Sequence, residues 1–549
     1  MRRHPSISVS CFPRLKVFLC LLWLLCFSAS SSPAPKLSAS ASRFARRVDA
    51  VLKKHRAERG HWGVLVVSAK DGRTLYARNP NQLFSLASNT KLFTAAAAAH
   101  LLGLEYRYRT TVEAPAEIDA EGRVAGDLIL VGRGDPNLSG RAIPYDKKTE
   151  RPFPPTYVLE QIAGQLAAKG LKRVEGDIVA DDSYFVYNPY PVRWRWGDLT
   201  WGYGAPVTAL AVNDNVVFLE TLPGEKAGDP IFWRFEPPTD FYEVVNRAQT
   251  APARADVKLI LDRQPGSRVV KLWGKIALGT PPRGVSLGIE DPALYAASLF
   301  RQALEAKGIS VSGKLLARHN DRTEAELARP EGIGALPARG EQVISPEPSP
   351  RFDRGEPRHV LAEHASLPLF ESLRVMLKVS QNLHAEMLLR TMGREKRGEG
   401  TLEAGLEVEQ EFLTQTVGLD AEEFRLEDGS GLSESNLATP RALVQLLAFL
   451  GRQAYGAAFR SALPIAGEDG TLSDRMVNSS AAGKIQAKTG TLGSINTLSG
   501  YAAPEGGEEL IFSILGNTHA LKNRSASDAM DELAVAMVES FGKRKKGRR

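Results

Sequence analysis

Cysteine is nearly absent: the 549-residue chain holds three, Cys11, Cys20 and Cys26, all close to its N-terminus. Beyond Cys26 there is no material for a disulfide, a thiol nucleophile or a cysteine-ligated metal. Long apolar runs are missing too. The run Val17–Phe27 is shorter than the ~18 residues that read as a membrane-spanning helix, and no other stretch approaches that length. Charge of one sign is equally scarce, with Lys+Arg 70 against Asp+Glu 63. Arg2, Arg3, Arg14 and Lys16 at one end and the tail KRKKGRR (543–549) at the other exceed the net charge of +7, so the body between them is acidic. That distribution argues against a nucleic-acid groove. His359 and His364 flank Glu363 without the spacing of a zinc helix, and neither a metal nor a cofactor is expected.

What is present begins with basic residues, an apolar stretch and then small residues, the order of a secretory signal peptide over 1–30. Its end is open among Ala29, Ser30 and Ala41. An uncut membrane anchor is the alternative. Export to the periplasm or cell envelope is the expectation, and an exported chain without disulfides must rely on a large core.

The patterning predicts an α+β protein. Two apolar runs around Asp71-Gly72 read as a hairpin, and SNTKLFTAAAAAHLLG as an alanine-rich helix with Gly103 at its end. From about 106 the pattern turns strand-rich, with one helix near Tyr157–Lys169. Helical periodicity returns at 369–377 and 383–391, then at 404–415 and 441–450. Strands follow over 484–515, and a helix over 525–541. The expected organisation is a host domain in two pieces, 44–105 and 358–542, around β-rich inserted domains at 106–336. A Pro/Gly-rich linker at 337–357 and a basic disordered tail at 543–549 complete it.

Three short motifs carry chemistry: Ser88-Asn89-Thr90-Lys91, Ser380-Gln381-Asn382 and Lys488-Thr489-Gly490. At i and i+3, Ser88 and Lys91 share one face of a helix's first turn. A serine hydroxyl needs a neighbour to take its proton, and Lys91 can do so only with a pKa far below the free value. Burial, the helix start and a second cation, for which Lys488 is the candidate, would lower it. The Ser88 N–H at the helix start and strand amides such as that of Thr491 suit an oxyanion. Lys488 and Thr489 offer a charge and a hydroxyl to a terminal carboxylate. Gly490 would let a substrate backbone approach. Each motif alone is weak, but the three in this order are specific.

The match extends further. LASNTKLFTAAA, GDLILVGRGDPNL, GDIVADDSYF, WGYGAPVTALAVNDN, SQNLHAEMLL, DGSGLSESN, LPIAGEDGTL and AKTGTL resemble the class C low-molecular-mass penicillin-binding proteins over about residues 45–520. These are D-alanyl-D-alanine carboxypeptidases/endopeptidases acting on peptidoglycan stem peptides, and they bind β-lactams covalently. The resemblance implies a penicillin-binding/β-lactamase-like domain, an antiparallel sheet flanked by helices and interrupted between the first two motifs. It implies Ser88 as acylated nucleophile, Lys91 as its base, Ser380 as relay, Asn382 as substrate-amide contact, and Lys488 with Thr489 as carboxylate clamp. Asp181, in Asp181-Asp182-Ser183-Tyr184-Phe185, would bind the amine of a stem-peptide diamino acid, or else be a turn aspartate at a strand end. Gln381 and His384 depart from the family's usual Asp and aliphatic or Tyr.

A β-lactamase would share the nucleophile, though no E-x-x-x-N deacylating arrangement of class A type occurs, and a non-enzymatic wall-binding protein would need decayed motifs. Trp194, Trp196 and Trp201 could stack on glycan or pack at a domain junction. Gly429-Ser430-Gly431 reads as a tight turn. The tail is either inert or weakly attracted to anionic membrane or wall polymers.

Overall fold

A computed structural model describes residues 38–143, 145, 151–321 and 358–543. The expected signal peptide, the 337–357 linker and the tail beyond Lys543 lie outside the described residues.

The strand His61–Ser68 is apolar at almost every position because both its faces are covered. Successive side chains of a strand point to opposite faces. Val64 and Val66 enter one core with Phe512 and Ile514, while Leu65 and Val67 enter another with Phe93 and Leu443. The sheet around it is antiparallel throughout, ordered Thr74–Arg78, His61–Ser68, Leu510–Asn517, Ile495–Ala502, Ile485–Leu492. Its N-terminal hairpin is thus completed by strands from the far end of the chain. Helices Ala39–Lys54 and Asn523–Phe541 cover one face through Phe44, Val48, Leu533 and Met537. The other face carries Lys91–Leu101, Leu369–Lys378, Asn382–Arg397, Leu402–Glu411 and Pro440–Gly451. Ala95–Ala99 are all buried, and side chains this short let neighbouring helices close around Lys91–Leu101.

The segment between Leu101 and Leu369 builds a second five-stranded sheet, ordered Leu315–Asn320, Ile178–Val186, Leu128–Val131, Arg109–Ala114, His359–Ala365, and smaller sheets beside it. Two helices pack there, where one was expected. Tyr157–Ala168 matches the expectation, and Pro292–Ala306 adds to it, capped by the Asp291 carboxylate on the Leu294 N–H with Pro292 in its first turn. Strand His359–Ala365 pairs with Arg109–Ala114, so the chain rejoins the host helices at Leu369 rather than at 358. The fold is α+β.

Candidate active site

Ser88 lies on a short 3-10 turn, Ala87–Thr90, and the α-helix proper begins at Lys91, one turn later than the spacing predicts. Ala87 enters the turn at φ 44°. Non-glycine residues reach that region only where surroundings hold them, at a cost of roughly 1–3 kcal/mol. Here Thr497 Oγ1 donates to Leu86 O (2.9 Å), the Asn89 amide donates to Thr497, and Leu86 N–H donates to Asn436 O (3.0 Å). Two glycines make room for it. A Cβ on Gly431 would stand 1.9 Å from Ala87 O, and one on Gly490 would stand 2.2 Å from Thr497 Oγ1 and 3.0 Å from Ser88 N. Gly490 therefore seats the serine turn against the strand, a requirement that comes from inside the protein.

Lys91 is fully buried. Its Nζ donates to Ser88 Oγ (3.1 Å), Asn382 Oδ1 (2.7 Å) and Ser430 O (2.5 Å). Burial pulls its pKa down to about 7, against the opposing pull of the Asp428 and Glu386 carboxylates. The sequence reading looked to Lys488 as a depressing cation. Repulsion between two amines is mutual, and its larger mark falls on Lys488, which is also buried and is held well below the usual amine range by desolvation and then by Lys91. Lys488 Nζ donates to Ser380 Oγ (2.9 Å) and Thr489 O (2.8 Å), and Ser380 itself has φ 65°. Thr489 Oγ1 lies 2.7 Å from Thr471 Oγ1. The motif strand Ile485–Leu492 is an edge of the sheet, and Thr491 on it is exposed.

Three supports escaped sequence reasoning. The loop 428–436 is organised by buried Asp428, which accepts from the N–H groups of Gly431 (2.7 Å) and Ser433 (2.7 Å), the Asn436 amide (2.8 Å) and Trp194 Nε1 (3.0 Å). This loop aims the Ser430 carbonyl at Lys91, so Gly429-Ser430-Gly431 is more than a turn. Glu386, buried and pushed up to about 7 by desolvation and Asp428, accepts from Gly429 N (3.1 Å) and Ser430 N (2.9 Å). The third support is a reach from the inserted part. Asn213, Asp214 and Asn215 are all left-handed, with φ of 52°, 58° and 52°. They present Asp214 to Gln381 Nε2 (2.9 Å), while Arg141 Nη2 (2.8 Å) and Arg151 hold the same carboxylate and His384 lies 3.3 Å away. Both departures from the usual family residues, Gln381 and His384, therefore serve one buried carboxylate. Asn382 is steadied from the same side, Nδ2 to Tyr203 O (2.8 Å).

Lys91 thus joins Ser88 to Asn382, and Lys488 touches Ser380. Asp181 is buried in the middle of strand Ile178–Val186, paired with Val131 on one side and Arg318 on the other, so it is not a turn aspartate at a strand end; it accepts from Ser183 Oγ (2.6 Å) and Arg318 Nη1 (3.0 Å). The tryptophans divide. Trp194 is buried on Asp428, Trp196 is exposed, and Trp201 lines a cleft beside the Ser380–Asn382 turn.

A buried lysine on a serine at the head of a helix, a Ser-x-Asn turn and an edge strand bearing Lys-Thr-Gly define the penicillin-recognising serine enzymes. Comparison with known proteins narrows the class. The family model described as D-Ala-D-Ala carboxypeptidase 3 (S13) matches residues 44–331 and 350–537, and the chain belongs to this family of serine peptidases. A D-alanyl-D-alanine carboxypeptidase of Actinomadura sp. (strain R39) is 33% identical over 534 residues, 95% of this chain and 89% of that protein. The D-alanyl-D-alanine carboxypeptidase DacB of Haemophilus influenzae is 25% identical, covering 82% of this chain and 84% of its own. The crystal structure of penicillin binding protein 4 (dacB) from Haemophilus influenzae has the same fold, with TM-score 0.71 at 24% identity over 90% of this chain and 99% of that one.

Proposed function

We propose that the chain is a serine DD-peptidase that cleaves D-alanyl-D-alanine ends, and peptide cross-links, of peptidoglycan through an acyl-enzyme on Ser88. The observation that carries this reading is the Lys91 amine, buried, depressed to about 7 and 3.1 Å from Ser88 Oγ. A group poised near the working pH takes a proton most effectively. Neutral Lys91 accepts the Ser88 proton as Oγ bonds to the carbonyl carbon of the penultimate D-alanine. The N–H groups of Ser88 and Thr491 receive the oxyanion. The C–N bond then breaks, and the departing amine takes the proton that Lys91 accepted, passed on through Ser380, which Lys488 touches, so that Lys91 is neutral again. Lys91 then takes a proton from water as its oxygen bonds to the ester carbonyl carbon, and gives that proton to Ser88 Oγ as the C–Oγ bond breaks. Asn382 holds the substrate amide, and Lys488 with Thr489 receives the terminal carboxylate, whose charge favours the protonated form of Lys488.

A β-lactam enters the same first step and stays attached. The two carboxylates that act on Lys91 are tied elsewhere, Glu386 to the Gly429 and Ser430 N–H groups and Asp428 to its own loop, so neither of them is free to hurry deacylation. Partners are stem peptides and β-lactams. Residues 1–30 would direct export to the periplasm or envelope, and the 543–549 tail would add a salt-sensitive contact with anionic membrane or wall polymer. The test is a penicillin adduct mapped by mass spectrometry, with D-alanine release and β-lactam turnover measured beside it. An adduct on another serine, or undiminished labelling of Ser88→Ala, refutes the assignment. Rapid multiple turnover of penicillin would make the protein a β-lactamase instead.

A further inference from the structure

A cavity of about 460 Å³ opens beside Val379–Asn382, its other walls formed by Arg151, Trp201, Tyr203, Phe218 and Val285 of the inserted part. Pockets that enclose sizeable organic ligands fall in the range of roughly 300–1,000 Å³. A departing free alanine would fill little of it. Among the described residues, two charged side chains line it, Arg151 and Asp214. Asp214 is buried and already shared by two guanidinium groups, those of Arg141 and Arg151, so the cluster carries an excess positive charge. Arg151 holds that excess at the cavity wall: its side chain is 24% exposed, Nη1 is fixed on Asn213 Oδ1 (2.6 Å), and the guanidinium lies 5.6 Å from the Phe218 ring centroid. A guanidinium oriented in this way, with N–H groups to spare, is suited to a carboxylate.

The position of the cavity gives that carboxylate an owner. In the mechanism above the leaving amine takes its proton through Ser380, so a cavity walled by Ser380 lies on the leaving-group side. When the substrate is a simple D-alanyl-D-alanine end, nothing extends there. When it is a cross-link, the leaving amine belongs to the diamino acid of a second stem peptide, which continues outward and bears carboxylates of its own. We propose that this cavity is the subsite for that second peptide, with Arg151 pairing one of its carboxylates and the aromatic walls packing its backbone. The inference rests on the DD-peptidase reading and adds to it the determinant of cross-link cleavage.

The test compares a monomeric pentapeptide substrate with a cross-linked tetrapeptide dimer. In Arg151→Gln the ratio of dimer to monomer kcat/KM should fall about tenfold, the worth of one charge-assisted hydrogen bond, and the loss should lie in KM. Arg151→Lys should restore part of it. Amidating the dimer's carboxylates, except the one beside the leaving amine that Lys488 and Thr489 receive, should lower wild-type cleavage by a similar factor and leave Arg151→Gln unaffected. Binding of the same dimer to Ser88→Ala, with and without Arg151→Gln, is read by calorimetry and should weaken about tenfold. Equal losses on dimer and monomer, or undiminished dimer binding, overturn the subsite. A wild-type protein that binds the dimer through Arg151 yet releases product from neither substrate overturns the DD-peptidase reading and leaves the subsite standing.

Discussion

If Lys91 is the base, acylation must follow its deprotonation, and the structure sets where that happens. An ordinary lysine with a pKa of 10.5 is neutral in about one molecule in three thousand at pH 7, whereas Lys91, depressed to about 7, is neutral in about half. The second-order rate of penicillin acylation should therefore rise about tenfold between pH 6 and 8 and then level off. The same shift has a sign for stability. The folded amine releases its proton near pH 7 while the unfolded one keeps it to 10.5, so Lys91 costs stability at low pH and that cost fades across the window 7 to 10.5. Glu386 supplies the perturbation. Its carboxylate raises the Lys91 pKa, and it titrates in the same range, pushed up to about 7. Glu386→Gln keeps an oxygen for the Gly429 and Ser430 N–H groups, and Arg390 keeps the Glu386 and Asn188 carbonyls at 3.2 and 3.3 Å. The acylation midpoint should move below 7, read by stopped-flow with a fluorescent penicillin. A wild-type rate still climbing tenfold per pH unit at pH 9, or a Gln variant with its midpoint moved upward, would sink both the assignment of Lys91 and the account of its environment.

The other expectations concern the supports of the site. Gly490→Ala brings a methyl to 2.2 Å from Thr497 Oγ1 and 3.0 Å from Ser88 N, so acylation should fall at least tenfold while the circular dichroism of the fold is kept; an unaffected rate would count against the packing argument. Lys488→Gln should harm substrates with a free C-terminal carboxylate more than their amides, and equal losses would remove it as a clamp. Asp214→Asn leaves Arg141 buried with a weakened partner and should cost roughly 3–5 kcal/mol in urea denaturation. Gln381→Ala, which loses one charged hydrogen bond, should cost roughly 1.5–3 kcal/mol, and the two effects should be non-additive.

The motif residues were legible because their chemistry is local in sequence: Ser88 and Lys91 are a helical turn apart, and Lys-Thr-Gly lies on one strand. The supports were not, because each depends on distant chain. Nothing around Ser430 says that its carbonyl will meet an amine 339 positions away. Asp214 looks like a turn residue until Gln381, 167 positions on, is seen to need it. Gly431 carried a weak signal, a second glycine two after Gly429, but the backbone it makes room for, Ala87 O, belongs to another element. In the fold, helix Pro292–Ala306 was announced by Asp291-Pro292 and Gly308, cues outweighed by the surrounding strand pattern. The return of the chain to the host layer at Leu369 could not be read, since strand pairing of 359–365 with 109–114 leaves no mark on either segment alone.

The sheet that seats Ser88 has its own timetable. The Asn89 side chain meets Thr497, 408 positions later, and His61–Ser68 finds its inner neighbour only in Leu510–Asn517. At synthesis rates of about 5–20 residues per second, the serine turn waits roughly 20–80 s for the strand that shapes it. Until then Lys91 is hydrated and fully charged, and Ser88 is an ordinary alcohol. The reactive pair thus cannot assemble before the C-terminal strands are made, which keeps a hydrolase silent through most of its synthesis. Covalent labelling by penicillin accordingly reports that the chain has closed end to end, and a fragment stopping short of Leu510 carries the serine and the lysine without the reactivity.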